Sequence, residues 1–211
     1  MTLSWPNQEP RRTISLNSFY IDTFKVTNAE YAAFLSHGNA SHYWVSQDIQ
    51  DNGDGTYSPV PGKEEEPVAN VAWESANAFS SWVEKRLPTE TEWEAASRGS
   101  ISGPNYHFPW GNSLPSAVVP TPLNFANLVG EAIGVENYSN GVTIWENDNG
   151  DNDNPTGPAS SPYTPVEPPY RVIRGGNFQS DENTVRNYYR SYADPWSRTD
   201  TIGFRCVVNY L

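Results

Sequence analysis

The hydrophobic positions of this chain change their period several times, and each change marks an element. Residues 14–24 (ISLNSFYIDTF) alternate apolar and polar side chains, with aromatic and β-branched residues among them. That period of two predicts a strand with one buried face. Thr27 and Glu30 then stand at capping-box spacing ahead of Tyr31, Ala32, Phe34 and Leu35, so an amphipathic helix should begin at Asn28 and end near His37, Gly38 and Asn39. A second helix is predicted over residues 74–85, with Ala76, Phe79, Trp82 and Val83 on one face. Pro88 closes that segment, and Thr89 with Glu92 repeats the capping box and opens a third helix carrying Trp93 and Ala96 up to Gly99. Both later helices should turn a tryptophan inward.

Elsewhere the periods fade. Residues 51–55 (DNGDG) lack the ordered ligand positions and closing glutamate of an EF-hand and read as Asx turns on a solvated loop, and residues 64–66 as a solvated acidic run. From residue 108 to 169 few patterns recur, and WENDNGDNDNPTG is a low-complexity surface loop. So long an irregular stretch implies functional loops draped over a small sheet. Order returns over residues 171–206, framed by RVIRGG at one end and IGFRC at the other, with polar, aromatic and turn-forming residues between. Gly175 and Gly176 permit a backbone bend. Arg174 and Arg205 suit buried carboxylates, for which Glu90, Glu92 and Glu94 are available.

Composition narrows the function classes. With 211 residues the chain should form a single domain, 1–211, with 1–13 as a polar lead-in. Only 36% of residues are hydrophobic, so 8 Trp, 12 Tyr and 8 Phe must carry much of the core. A net charge of −12 repels phosphate backbones and anionic lipid, which removes nucleic acid and membrane insertion from the partner classes. Met1 is followed by polar, proline-containing sequence, so a soluble chain without leader or membrane span is expected, its compartment open. One cysteine, Cys206, precludes an internal disulfide or a multi-thiolate metal site.

Three separated segments carry a family resemblance: IDTFKVTNAEYAAFL, then RLPTETEWEAASRG with FPWGN, then RVIRGGNF through IGFRC. Together they resemble the formylglycine-generating-enzyme or sulfatase-modifying-factor superfamily, a variant of the C-type lectin fold. The resemblance implies an α+β, C-type lectin-like domain in which two main helices pack on small twisted antiparallel sheets, with long irregular loops and neighbouring terminal strands. In the formylglycine-generating members a thiol pair with copper lies between the RGG and GFR segments, and this chain has no cysteine there. Sulfoxide-forming relatives in ergothioneine biosynthesis hold iron through histidines of an additional helical domain, whereas this chain offers only His37, His42 and His107. No nucleophile elbow is present, and no spacing selects a carboxylate pair. The resemblance thus implies the frame without its chemistry: no catalytic residue and no required cofactor. Calcium is the ion it allows, through Asn127 and Leu128 of the segment Ala126-Asn127-Leu128, while the second familiar ligand segment survives only as Ile144-Trp145-Glu146-Asn147.

The interval between the frame motifs has the composition of an adaptable binding surface, in which Tyr and Trp supply area and short polar groups supply hydrogen bonds. It resembles the variable proteins of diversity-generating retroelements, where a lectin-type domain carries a C-terminal variable segment ending at the GFR strand; here that segment is 171–206, and the chain stops soon after it. Gln179, Glu182 and Trp196 fall outside the residues that adenine-directed mutagenesis of Asn codons yields. Val185, Arg186, Arg190, Pro195 and Arg198 match frame positions. The ligand-binding residues expected between them are Asn177, Gln179, Ser180, Asp181, Asn187, Tyr189, Ser191, Tyr192, Asp194, Trp196, Ser197, Thr199 and Asp200. The expected function is non-enzymatic binding of a protein or glycan ligand on a host or target surface, with display on a virus particle or cell surface as the setting and the oligomeric state open. The alternatives are an inert accessory relative or a metal-dependent, oxygen-using enzyme of the same superfamily.

Overall fold

The first helix, α1 (Asn28–Phe34), starts where the capping box places it. Thr27 is extended, its hydroxyl accepts the Glu30 amide, and the Glu30 carboxylate accepts the Thr27 amide at 2.9 Å. Its buried face is Tyr31, Ala32 and Phe34, followed by Leu35 in a wide turn, Leu35–Asn39, that closes at Gly38 with φ 86°. The structure is a computed structural model that describes residues 14–39, 43, 45–98, 106–108, 111–112, 139–141, 171–177 and 179–210.

Helix α2 (Trp73–Trp82) lays Ala76 and Phe79 against α1. Tyr31 stacks on Phe79 at 5.9 Å between centroids, and Phe204 meets Phe79 edge-on at 5.5 Å. Such aromatic pairs contribute about 0.5–1.5 kcal/mol each beyond the area they bury, which is how a chain poor in aliphatics holds its centre. Two expectations are corrected here. Trp82 is 39% exposed, resting its edge on Phe34 and His37 rather than lying inside. The helix also stops at Trp82 rather than near Lys85: the Lys85 amide reaches the Ser80 carbonyl at 2.8 Å and the Glu84 amide the Ser81 carbonyl at 3.1 Å. That is a Schellman closure with Glu84, at φ 58°, in the left-handed position usually held by glycine. Without that glycine, the stop is hidden in the sequence.

Helix α3 (Glu90–Arg98) opens on the second capping box, with the Glu92 amide on Thr89 Oγ1 at 3.2 Å and the Thr89 amide on the Glu92 carboxylate at 2.8 Å. The same carboxylate takes both terminal nitrogens of Arg86, at 2.8 and 2.6 Å. Three small antiparallel sheets complete the fold among the described residues. Strand β1 (Phe19–Ile21) pairs with β7 (Val207–Asn209), which joins the two ends of the described chain as neighbouring strands. The strand expected over residues 14–24 shrinks to these three positions because β7 offers only three partners. Where the ladder stops, Arg205 Nη1 donates to the Asp22 and Thr23 carbonyls, not to the α3 glutamates expected for it. The DNGDG stretch is the tip of a hairpin between β2 (Ile49–Asp51) and β3 (Tyr57–Pro59), closed by the expected Asx turns at Asp51 and Asp54. Finally β4 (Ser139–Gly141), β5 (Arg171–Arg174) and β6 (Ser191–Ala193) form a three-stranded sheet with β5 central. Short helices on small antiparallel sheets make the domain α+β, as the sequence indicated.

Candidate functional site

Along β5 the odd positions are half-buried and the even ones, Val172 and Arg174, are buried. Arg174 therefore turns toward α3, where Nη2 lies 2.9 Å from Glu90 Oε1 and also bonds Glu94. Arg190 grips both oxygens of Glu90, Nε on Oε1 at 2.5 Å and Nη2 on Oε2 at 2.9 Å. Two arginines and two glutamates so neutralise one another, which is what keeps Glu90 and Arg174 tolerable at 4% and 3% side-chain exposure. Arg174 Nη1 donates to the carbonyls of Asn187 and Tyr189, both at 3.1 Å, and so fixes the loop that follows.

Immediately after β5 the chain turns through Gly175 and Gly176, at φ 93° and 67°. Gly176 has a second reason to lack a side chain: a Cβ there would lie 2.8 Å from Val185 Cγ1, 2.9 Å from Ser180 Oγ and 3.0 Å from the Thr184 carbonyl. The loop beyond is knitted by its own polar groups. Ser180 Oγ takes the Asn177 amide at 2.7 Å, and Asn177 Oδ1 takes the Gln179 amide at 2.8 Å. Asp181 takes the amides of Thr184 and Asn183, each at 2.9 Å; the Thr184 amide above all holds its carboxyl below the usual carboxylate range.

The far side of the loop is tied to the start of α2. The Trp73 amide, which the helix leaves without an internal acceptor and Ala72 does not cap, donates to the Pro195 carbonyl at 2.9 Å. The Asn70 amide donates to the Thr199 carbonyl at 2.8 Å. Arg171 lies 3.7 Å above the Trp73 ring.

These ties surround a cavity of about 480 Å³, within the range of roughly 300–1,000 Å³ seen for small-molecule sites. Asn177, Ser180, Tyr189, Ser191, Tyr192, Asp194, Ser197 and Thr199 all line it. Gln179, Asp181, Trp196 and Asp200 are exposed outside its wall. Asn187 does not belong to a binding surface: it is 1% exposed, its amide donates to the His107 carbonyl and its Nδ2 to the Tyr106 carbonyl. Of the frame positions, Val185 and Pro195 are buried as expected, whereas Arg198 is exposed. Sequence reasoning missed Ile173, Ile202 and Gly203 on the wall. Ile173 could have been found, since it alternates with the buried Val172 and Arg174.

Behind Gly203 sits Lys25, whose Cδ is 3.5 Å from where a Cβ on that glycine would lie. Lys25 is 5% exposed, and burial, then the charge of Arg205, lowers its amine to about 7. Cys206 is fully buried, its thiol pushed up to about 12 chiefly by burial. The donors for a thiol-bound copper are therefore not present: the one thiol is in the core, protonated, and no second exists. Among the described residues no three His, Cys, Asp or Glu side chains converge as metal ligands, and no helix is long and apolar enough to cross a membrane. Asn127, Leu128, His42 and the segment 144–147 lie outside the described residues.

The architecture is that of the formylglycine-generating-enzyme variant of the C-type lectin fold. It superposes on Treponema denticola variable protein 1 with a TM-score of 0.66 at 18% identity, over 93% of this chain and 86% of that one. In sequence, residues 1–133 and 125–210 match the sulfatase-modifying factor enzyme 1-like domain, and the chain belongs to that family. It is 30% identical, over 94% of its length, to the serine/threonine-protein kinase Pkn1 of Chlamydia trachomatis serovar L2, and spans 34% of that protein. It is 26% identical over 97% of its length to the formylglycine-generating enzyme of Bos taurus, spanning 69% of it.

Proposed function

We propose that this domain is a non-enzymatic recognition module that presents a variable surface on a fixed lectin-type frame, as the variable proteins of diversity-generating retroelements do. The observation that carries the reading is the convergence of Asn177, Ser180, Tyr189, Ser191, Tyr192, Asp194, Ser197 and Thr199 on one cavity, anchored by Arg174, which touches the wall but is held by its ion pairs to α3. Hydroxyl, amide and phenol groups dominate the wall, which suits hydrogen bonding and stacking rather than nucleophilic chemistry. The buried, protonated state of Cys206 supports the same reading, because the thiolate is the reactive form of cysteine. The likeness to a variable protein supports the scaffold half of it.

Sequencing this locus across natural isolates tests the proposal. Substitutions should concentrate at these eight polar positions and spare Arg174, Gly176, Arg190 and Pro195, with a reverse transcriptase and a near-copy of the segment nearby. Absence of both neighbours would remove the retroelement version. Stoichiometric copper or iron in protein purified without added metal would overturn the non-enzymatic reading altogether.

A further inference from the structure

Given that recognition reading, on which this inference rests, we propose that the cavity receives a basic side chain, the guanidinium or ammonium group of an arginine or lysine presented by a partner protein. The charges on its wall decide the sign. Arg174 is the one basic residue lining it, and that guanidinium already holds Glu90 and Glu94. Asp194 is the one acid on the wall; its Oδ1 takes the Trp196 amide at 2.7 Å, and among the described residues its Oδ2 accepts no hydrogen bond. An entering anion would meet Asp194 and a positive charge already neutralised by two carboxylates. An entering cation meets an exposed carboxylate oxygen and two tyrosines, Tyr189 and Tyr192. Tyr192 is 63% exposed, and tyrosine rings attract cations and cover alkyl stems.

Around the cavity Asp181, Glu182 and Asp200 are exposed, against Arg198, and the whole chain carries −12. That field draws basic partners toward the mouth. The wall hydroxyls accept the remaining N–H groups, a task for which Ser191, Ser197 and Thr199 are suited.

The test is an NMR titration of the ¹⁵N-labelled full chain with Nα-acetylarginine methylamide and Nα-acetyllysine methylamide, and with the uncharged isostere Nα-acetylcitrulline methylamide. Methyl glucoside and methyl galactoside form a separate arm. The proposal expects saturable shifts at Tyr189, Tyr192 and Asp194 with at least one cation at millimolar concentration, and none with the citrulline compound. Asp194→Asn and Tyr192→Ala, both at exposed positions whose folding a thermal melt checks, should each weaken the cation by roughly tenfold, equivalent to about 1.4 kcal/mol. Equal binding of the citrulline compound, no binding of either cation, or indifference to Asp194→Asn would overturn it. Saturable binding of a glycoside without either cation would overturn the charge assignment while leaving the recognition reading standing.

Discussion

The ion-paired frame, whose Arg174 and Gly176 reach into the cavity wall, and the eight polar positions on that wall are built on opposite principles. The frame consists of groups with one acceptable identity each. Arg174 must reach two carboxylates and two carbonyls at once, and Gly176 must be both left-handed and without a Cβ. The wall consists of exposed side chains such as Tyr192 and of side chains whose partners are their own loop, such as Asp194. Placing the constraint below the surface lets the surface change without loss of the fold.

Breaking the frame should therefore cost far more than altering the wall. Arg174→Ala leaves Glu90 to Arg190 alone and Glu94 to Arg98 alone, frees the Asn187 and Tyr189 carbonyls, and should cost about 3 kcal/mol in denaturant unfolding, the lower end of the scale for breaking a buried ion pair from one side. Gly176→Ala should cost about 2–4 kcal/mol by the same measurement, from left-handed strain added to overpacking against Val185 and Thr184.

The buried Lys25 makes the stability of the fold depend on pH. Its amine titrates near 7 in the folded chain and near 10.5 once unfolded, so between these values the unfolded state binds the extra proton and stability rises with pH. Below 7 both states are charged and the full burial penalty stays. Above about 9 the unfolded Cys206 thiol ionises while the folded one does not, which opposes the Lys25 slope and flattens it. Wild type should thus gain roughly 1–2 kcal/mol from pH 7.5 to 9 relative to Lys25→Met, read from paired urea titrations. A flat difference would place Lys25 in a more polar setting than its burial indicates. At the small end, Glu84→Gly should stabilise by about 0.5–1 kcal/mol, since glycine takes the left-handed position without a Cβ clash.

Where structure was local, the chain announced it. Thr27 with Glu30 and Thr89 with Glu92 closed as capping boxes because donor and acceptor lie three residues apart on one backbone turn. Distance defeated the rest. Asn187 looks like a surface amide until Tyr106, 81 residues earlier, supplies the carbonyl that buries it. Arg174 was assigned its carboxylates correctly because helix α3 carries a glutamate on alternate positions, whereas Arg205 found backbone carbonyls that no side-chain pattern encodes. The cavity was half legible: its polar positions stood out by composition, but Ile173 and Ile202 were passed over because apolar residues read as core.

The most direct measurement of the contrast is a combinatorial library. Asn177, Ser180, Tyr189, Ser191, Tyr192, Asp194, Ser197 and Thr199 would be randomised together among small polar and aromatic residues, and the stability of each clone scored by pulse proteolysis. The account predicts that most clones stay within about 1 kcal/mol of the parent, as surface changes do. Losses across the library as large as those of Arg174→Ala or Gly176→Ala would contradict it, for the wall would then be part of the frame.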